Sequence, residues 1–166
     1  ANHCSKVEYL IISNLPRHVS MAQAYLSSLQ DNAEFSYAAI KILELAPELF
    51  EALDIYQTDH PIVICRYSEF IPFNCSTIET GKSIILPLQD PDNLGAAVRT
   101  ALGFGVEKII LTQESAHPFH AKSVRTSSGA VFGVEFYHLQ RWEDLKTIQS
   151  TDHEFFALDA GGKNIE

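Results

Sequence analysis

The sequence has 166 residues, 46% hydrophobic and 20% charged. That suits one ordinary domain, or one with a small companion, and excludes a disordered tail or a fibre. Twelve basic residues against twenty-one acidic ones leave a net charge of −9, which excludes coating of nucleic acid through the overall field. Residues 1–80 hold four bases and ten acids (−6), and residues 81–166 hold eight bases and eleven acids (−3), so any nucleic-acid surface is a local patch, sought in the second half. No run of about 18 apolar residues predicts a membrane span. The start, ANHCSKVEYLIISNLPRH, lacks the basic, apolar and small-residue segments of a secretory signal. Cys4, Cys65 and Cys75 are odd in number and scattered, which fits free thiols in a reducing cytoplasm.

Taken in chain order, Val7–Ile12 reads as a strand. Ser20–Gln30 reads as a helix, with Met21, Ala24, Tyr25 and Leu29 near helical spacing and Ser20 as a cap. Ile40–Leu45 is open between helix and strand. Pro47 opens a helix through PELFEALDIYQ, with Glu48 near its positive end and Glu48, Glu51 and Asp54 on its wet face. Pro61–Tyr67 is a strand. The polar stretch PFNCSTIETGK marks a boundary, giving a small N-terminal domain over 1–72, a linker over 73–81 and a second domain over 82–166.

In the second domain Ser83–Leu88 is a buried strand. Asp92 or Asn93 caps a helix to about Phe104, which Gly103 and Gly105 stop. Glu107–Thr112 is a second strand, Ala121–Ser128 a helix, Val131–Tyr137 a third strand, Trp142–Ser150 a helix and Glu154–Asp159 a fourth strand. Alternating helices and continuously apolar strands predict an α/β fold with a parallel sheet covered on both faces.

The most informative stretch is LQDPDNLGAAVRTALGFGVEKIIL, Leu88–Leu111. A strand ends, the chain turns through Asp90-Pro91-Asp92, and a helix begins. Ligands of open α/β sheets sit beyond the carboxyl ends of the strands, so this turn faces a site. Gly95 permits close approach of another backbone. Arg99 lies one helical turn further on, so that Asn93, Gly95 and Arg99 can share one crevice.

Here the chain resembles the SpoU (TrmH-like) RNA methyltransferases of the SPOUT superfamily. Their first motif is Asn, Gly two residues on, and Arg four later, which Asn93, Gly95 and Arg99 match. KSVRTSSGAVFGVEFY resembles their Ser-Gly-Ala segment at Ser128, Gly129 and Ala130. The likeness is specific over Lys82–Glu166, whereas residues 1–72 resemble the family's small substrate-recognition domain. The resemblance implies a parallel sheet of SPOUT (α/β knot) type. It implies transfer of a methyl group from S-adenosylmethionine to a ribose 2′-hydroxyl of tRNA or rRNA, by a cytoplasmic enzyme that is homodimeric when whole.

Arg99 and Asn93 are then the catalytic residues. A guanidinium stays protonated, so stabilising the developing alkoxide and fixing a phosphate suits Arg99 better than taking a proton. Asn93 positions Arg99 or the ribose. Lys122, Arg125 and Ser128 contact RNA, and Gly95 and Gly129 serve the backbone. Family members carry two more motifs that tie the knot and form most of the cofactor pocket. The chain is expected to stop before them, leaving the fold incomplete at the C-terminus. Leu158, Asp159 and Ala160 then form only a rim for S-adenosylmethionine, and the chain alone is expected to bind it weakly and to be inactive.

Other readings stand beside these. The same fold can serve as a non-catalytic RNA- or protein-binding module, and the strand–turn–helix crevice alone also suits a nucleotide-binding domain. Asn93 can be a plain helix cap and Arg99 a solvated residue. GFGVEK has its glycines in the wrong place for a dinucleotide fingerprint. Ser127 and Ser128 lack the G-x-S-x-G turn of a hydrolase. His117, His120, His138 and His153 have no partners at metal-ligand spacing, and no metal is expected. Trp142, Phe132, Phe136, Phe155 and Phe156 read as core rather than as a base-stacking platform.

Overall fold

The computed structural model describes residues 4–30, 40–67, 69–74, 81–150, 154, 156–158 and 161. It divides into two compact units, residues 2–69 and residues 70–166 (with Ala1), each described here by itself.

The first unit is built on β1 (Cys4–Ser13), α1 (Pro16–Gln30), β2 (Lys41–Leu45), α2 (Pro47–Leu53) and β3 (Ile62–Tyr67). Its sheet runs β2-β1-β3, with β2 parallel and β3 antiparallel to β1. Leu10 and Ile12 are buried with Ala22 of α1, and Val19, Tyr25 and Leu26 pack around them. α1 begins four residues earlier than the sequence suggests. Pro16 occupies the first turn, where no N–H is required, and the Ser20 hydroxyl, read as a cap, instead donates to the Pro16 carbonyl at 3.1 Å.

α2 ends at Leu53 rather than near Gln57. Asp54 is not on a wet face: it is 9% exposed, accepts from the Asp59 backbone N–H at 2.7 Å and from Thr58 at 3.3 Å, and thereby fixes the loop to β3. The fully buried His18 holds the same loop. Its Nδ1 meets the Ser13 hydroxyl at 2.8 Å and its Nε2 meets the Asp59 carboxylate at 2.9 Å, while Arg17 reaches that carboxylate at 2.8 Å. His18→Ala leaves the buried Ser13 hydroxyl without this partner, and is expected to cost about 1–3 kcal/mol. Hydrogen exchange checks this, with protection lost at residues 54–60 before the β1 core.

The Asp59 N–H, opposed by burial and helped by Thr58, lowers the Asp54 pKa below its usual value of 3.8. A carboxyl depressed in the folded state contributes stability above its unfolded pKa and loses it as pH falls through the lower folded value. The first unit should therefore loosen under acid below about pH 4, and Asp54→Asn should flatten that dependence in a pH-resolved melting series.

The second unit contains β4 (Ile71–Pro72), β5 (Ser83–Leu86), α3 (Pro91–Gly103), β6 (Lys108–Leu111), α4 (Ala121–Thr126), a 3₁₀ turn (Ala130–Phe132), β7 (Glu135–His138) and a 3₁₀ helix (Trp142–Ser150). The sheet order is β4-β7-β6-β5 and every pair is parallel. The unit begins at Phe70 rather than after the boundary drawn at residue 72. Ile71 and Pro72 pair with Tyr137 and His138, and Phe73 N–H donates to the His138 carbonyl at 3.0 Å. A proline is tolerated there because β4 is an edge.

Successive side chains of a strand point to opposite faces, and β6 shows why its whole run is apolar. Ile109 and Leu111 join Leu94, Val98, Val131, Val134 and Phe136 on one face. Ile110 joins Tyr137 and Leu139 on the other.

The remaining expectations of the second unit fare differently. Val131–Tyr137 is not one strand, because Ser128 (φ 52°) and Gly129 (φ 82°) both take left-handed backbone and turn the chain into the 3₁₀ segment before β7 starts at Glu135. Its valines reach the core from a turn. The helix expected over Trp142–Ser150 is present with those bounds and is of the 3₁₀ kind. Of the strand expected over Glu154–Asp159, residues 154 and 156–158 lie in no regular element, and the rest fall outside the described residues. No helix among the described residues is long and apolar enough to cross a membrane.

Candidate active site

α3 leaves the carboxyl end of β5, and its first turn is fixed by sequence. Asp90, not Asp92 or Asn93, is the cap: its carboxylate accepts the Asn93 backbone N–H at 2.9 Å. Pro91 fills the first helical position. This frees the Asn93 side chain, which is exposed. Leu94, Gly95, Val98 and Ala101 are buried, the stripe of an amphipathic helix, and Phe104 closes the helix by donating to the Thr100 and Ala101 carbonyls at 3.1 Å each.

Gly95 has a specific reason to be glycine. A Cβ there would lie 2.0 Å from the Thr126 Oγ1 and 2.5 Å from the Ser123 carbonyl oxygen. α3 and α4 therefore touch backbone to backbone at Gly95, which brings the Asn93–Arg99 motif against the Lys122–Gly129 segment. Arg99 is exposed and makes no hydrogen bond or ion pair among the described residues. Lys122, Arg125 and Ser128 are likewise exposed, the first two on α4 and Ser128 in the turn after it. Gly129, at φ 82°, takes a backbone conformation that a side chain would strain.

The loops beyond β5 and β6 are joined by a residue that sequence reasoning missed. The Ser115 hydroxyl donates to the Leu86 carbonyl at 2.7 Å and accepts the Thr112 N–H at 2.8 Å. Ala116 N–H donates to the Leu88 carbonyl at 2.7 Å. Nothing in the spacing of Ser115 signals the bond to Leu86, which lies on another strand 29 residues away.

The histidines are accounted for separately. His117 packs on Phe70, with ring centroids 5.1 Å apart; burial, and then the charge of His120, lower its pKa. His120 caps α4, accepting the Lys122 N–H at 3.3 Å. His138 ends β7, and His153 lies outside the described residues. No group of three or more His, Cys, Asp or Glu among the described residues can hold a metal ion.

The expected rim for S-adenosylmethionine falls mostly outside the described residues. Leu158 is 87% exposed, and Asp159 and Ala160 are among the residues not described. Two aromatic assignments also change. Phe136 is core, with Phe132 packed against it, but Trp142 is 49% exposed and Phe156 61% exposed. Phe155 lies outside the described residues.

A parallel sheet whose carboxyl edge launches an Asn–Gly–Arg helix, clamped at its glycine by a second basic helix, defines an α/β domain of the SPOUT class. The chain belongs to the SpoU rRNA Methylase family, which residues 84–166 match. It is 43% identical over 103 residues to the Ribosomal RNA small subunit methyltransferase G 2 of Syntrophobacter fumaroxidans, covering 61% of this chain and 21% of that protein. It is 28% identical over 98 residues to the 23S rRNA (guanosine(2553)-2′-O)-methyltransferase RlmP of Bacillus subtilis, covering 57% of this chain and 37% of the relative. The AdoMet-bound rRNA methyltransferase structure from Sinorhizobium meliloti shares the fold, with a TM-score of 0.61 at 22% identity over 87% of this chain and 51% of that one. The chain thus spans about half or less of each of these proteins.

Proposed function

We propose that the protein transfers a methyl group from S-adenosylmethionine to a ribose 2′-hydroxyl of ribosomal or transfer RNA. The observation that carries this reading is Arg99: an exposed cation without a partner among the described residues, on the helix that leaves the carboxyl edge beside α4. The named chemistry of the Bacillus relative and the ligand of the Sinorhizobium structure support the atom and the donor. The donor supplies a methyl carbon activated by sulfonium, and its contacts are assigned to none of the described residues.

This chain's residues do the rest. Arg99 stabilises the charge that grows on the ribose oxygen as its proton leaves. Asn93, six residues earlier on α3, orients the ribose, or Arg99 once RNA is bound. Lys122 and Arg125 hold phosphates on the α4 side, and residues 2–69 present the RNA.

The test is methyl-labelled donor incubated with the whole protein, the family's C-terminal motifs included, and rRNA or tRNA. The expected product carries label that survives alkaline hydrolysis as a dinucleotide, because an O-methylated 2′-oxygen cannot attack the adjacent phosphate. Label on a base overturns the ribose assignment. Salt-dependent RNA binding with no label turns the reading to the non-catalytic binding module.

A further inference from the structure

A second feature of the same carboxyl edge lies away from α3. Beyond the ends of β6 and β7, a pocket of about 200 Å³ opens between the Thr112–Glu114 loop and the Leu139–Glu143 segment. The buried Thr112 and Leu139, each 2% exposed, are among its lining residues, and the half-exposed Trp142 indole is another. The pocket is smaller than the roughly 300–1,000 Å³ of a site for a drug-sized ligand, which suits one planar ring system. Trp142 has no ring partner among the described residues, and Gln113, Glu114, Gln140 and Glu143 make no side-chain hydrogen bond among them. Arg141 is paired with Asp144 at 3.0 Å.

We propose that this pocket takes a single unpaired guanine of the RNA, stacked on Trp142 and read at its Watson–Crick edge by Glu114 or Glu143. An exposed indole offers a face on which any base stacks. Its surroundings then select. Arg141 against Glu114 and Glu143 leaves the lining at −1, and Asp144 pairs with Arg141, a balance that repels phosphate and admits the uncharged base. A carboxylate accepts hydrogen bonds only. Guanine alone among the four bases offers two adjacent donors, the ring N–H and the amino group, for bidentate acceptance, and Gln113 or Gln140 can donate to its carbonyl. The Ser115 hydrogen bonds tie this loop to the end of β5, from which α3 departs.

The inference rests on RNA being the substrate, and its test is independent of methyl transfer. Trp142 is the single tryptophan of the chain, so its emission reports the pocket alone. The protein is titrated with the trinucleotides UGU, UAU, UCU and UUU. UGU is expected to quench at roughly tenfold lower concentration than the others, and Glu114→Gln with Glu143→Gln to erase that preference while leaving quenching in place. Trp142→Ala, followed by calorimetry, is expected to weaken UGU at least about tenfold. Absence of quenching, equal quenching by all four, a preference that survives the double variant, or quenching by a lysine-rich peptide in place of UGU each overturns the proposal. Methyl transfer without quenching refutes the pocket alone, and quenching without methyl transfer refutes the proposed activity alone.

Discussion

Arg99→Ala is expected to lower the rate of methyl transfer by about 10²–10³-fold, the loss measured when one donor to a developing oxyanion is removed. Affinity for S-adenosylmethionine should change little, and the fold should not change at all. Arg99 is exposed and engages no described residue, so its removal leaves no buried group unsatisfied. Arg99→Lys separates two roles. Lysine restores the charge but not the planar fork that holds a phosphate and an alkoxide together. If charge stabilisation is the main role, it should recover part of the rate. Single-turnover methylation with wild type, alanine and lysine forms reads this directly. Alanine turnover equal to wild type removes Arg99 from the catalytic assignment.

Gly95→Ala acts through packing, and its effect on stability should be the largest of any single methyl group in the second unit. The added carbon meets the Thr126 Oγ1 at 2.0 Å and the Ser123 carbonyl at 2.5 Å. Thr126 can rotate away, although it then loses its 2.9 Å bond to the Lys122 carbonyl. The Ser123 carbonyl is backbone and moves only if α4 moves. We expect a destabilisation of about 2–3 kcal/mol, or roughly 8–24 °C in the melting temperature of a unit of this size. Thr126→Ala in the same chain removes the first clash and not the second, so the double variant should remain well below wild type. A double variant restored to wild-type melting would show that α3 and α4 are held apart by the threonine alone.

What the sequence disclosed and what it hid follow from the range of the forces involved. The buried strands are visible because both faces of a covered parallel sheet are apolar, so KIIL at 108–111 could be little else. α3 is bracketed by a proline and glycines, and its Asn–Gly–Arg spacing is local. Its cap lies two or three residues earlier than expected because Asp90, Asp92 and Asn93 are all competent, and only the observed turn chooses Asp90. Contacts that span the chain left no local trace. His18 and Asp59 are 41 residues apart, so neither residue announces the clip they form, and Asp54 looked like one more surface acid. Val131 and Val134 carry the composition of a strand, but the left-handed Ser128–Gly129 pair decides their path. Trp142 was read as core from size alone. Burial depends on which neighbours arrive, and those of Trp142 leave it 49% exposed.

The Ser115 hydroxyl has a further consequence. By holding the Leu86 carbonyl and the Thr112 N–H at once, it makes two loops of the carboxyl edge a single stiff piece. A nucleotide gripped at Trp142 and a ribose presented to Arg99 are then separated by a length set in the protein, not by the flexing of loops. The edge works as a ruler. Which nucleotide receives the mark would be fixed by counting along the strand from the gripped base, and a substitution that slackened the stitch would blur the address before it slowed the chemistry.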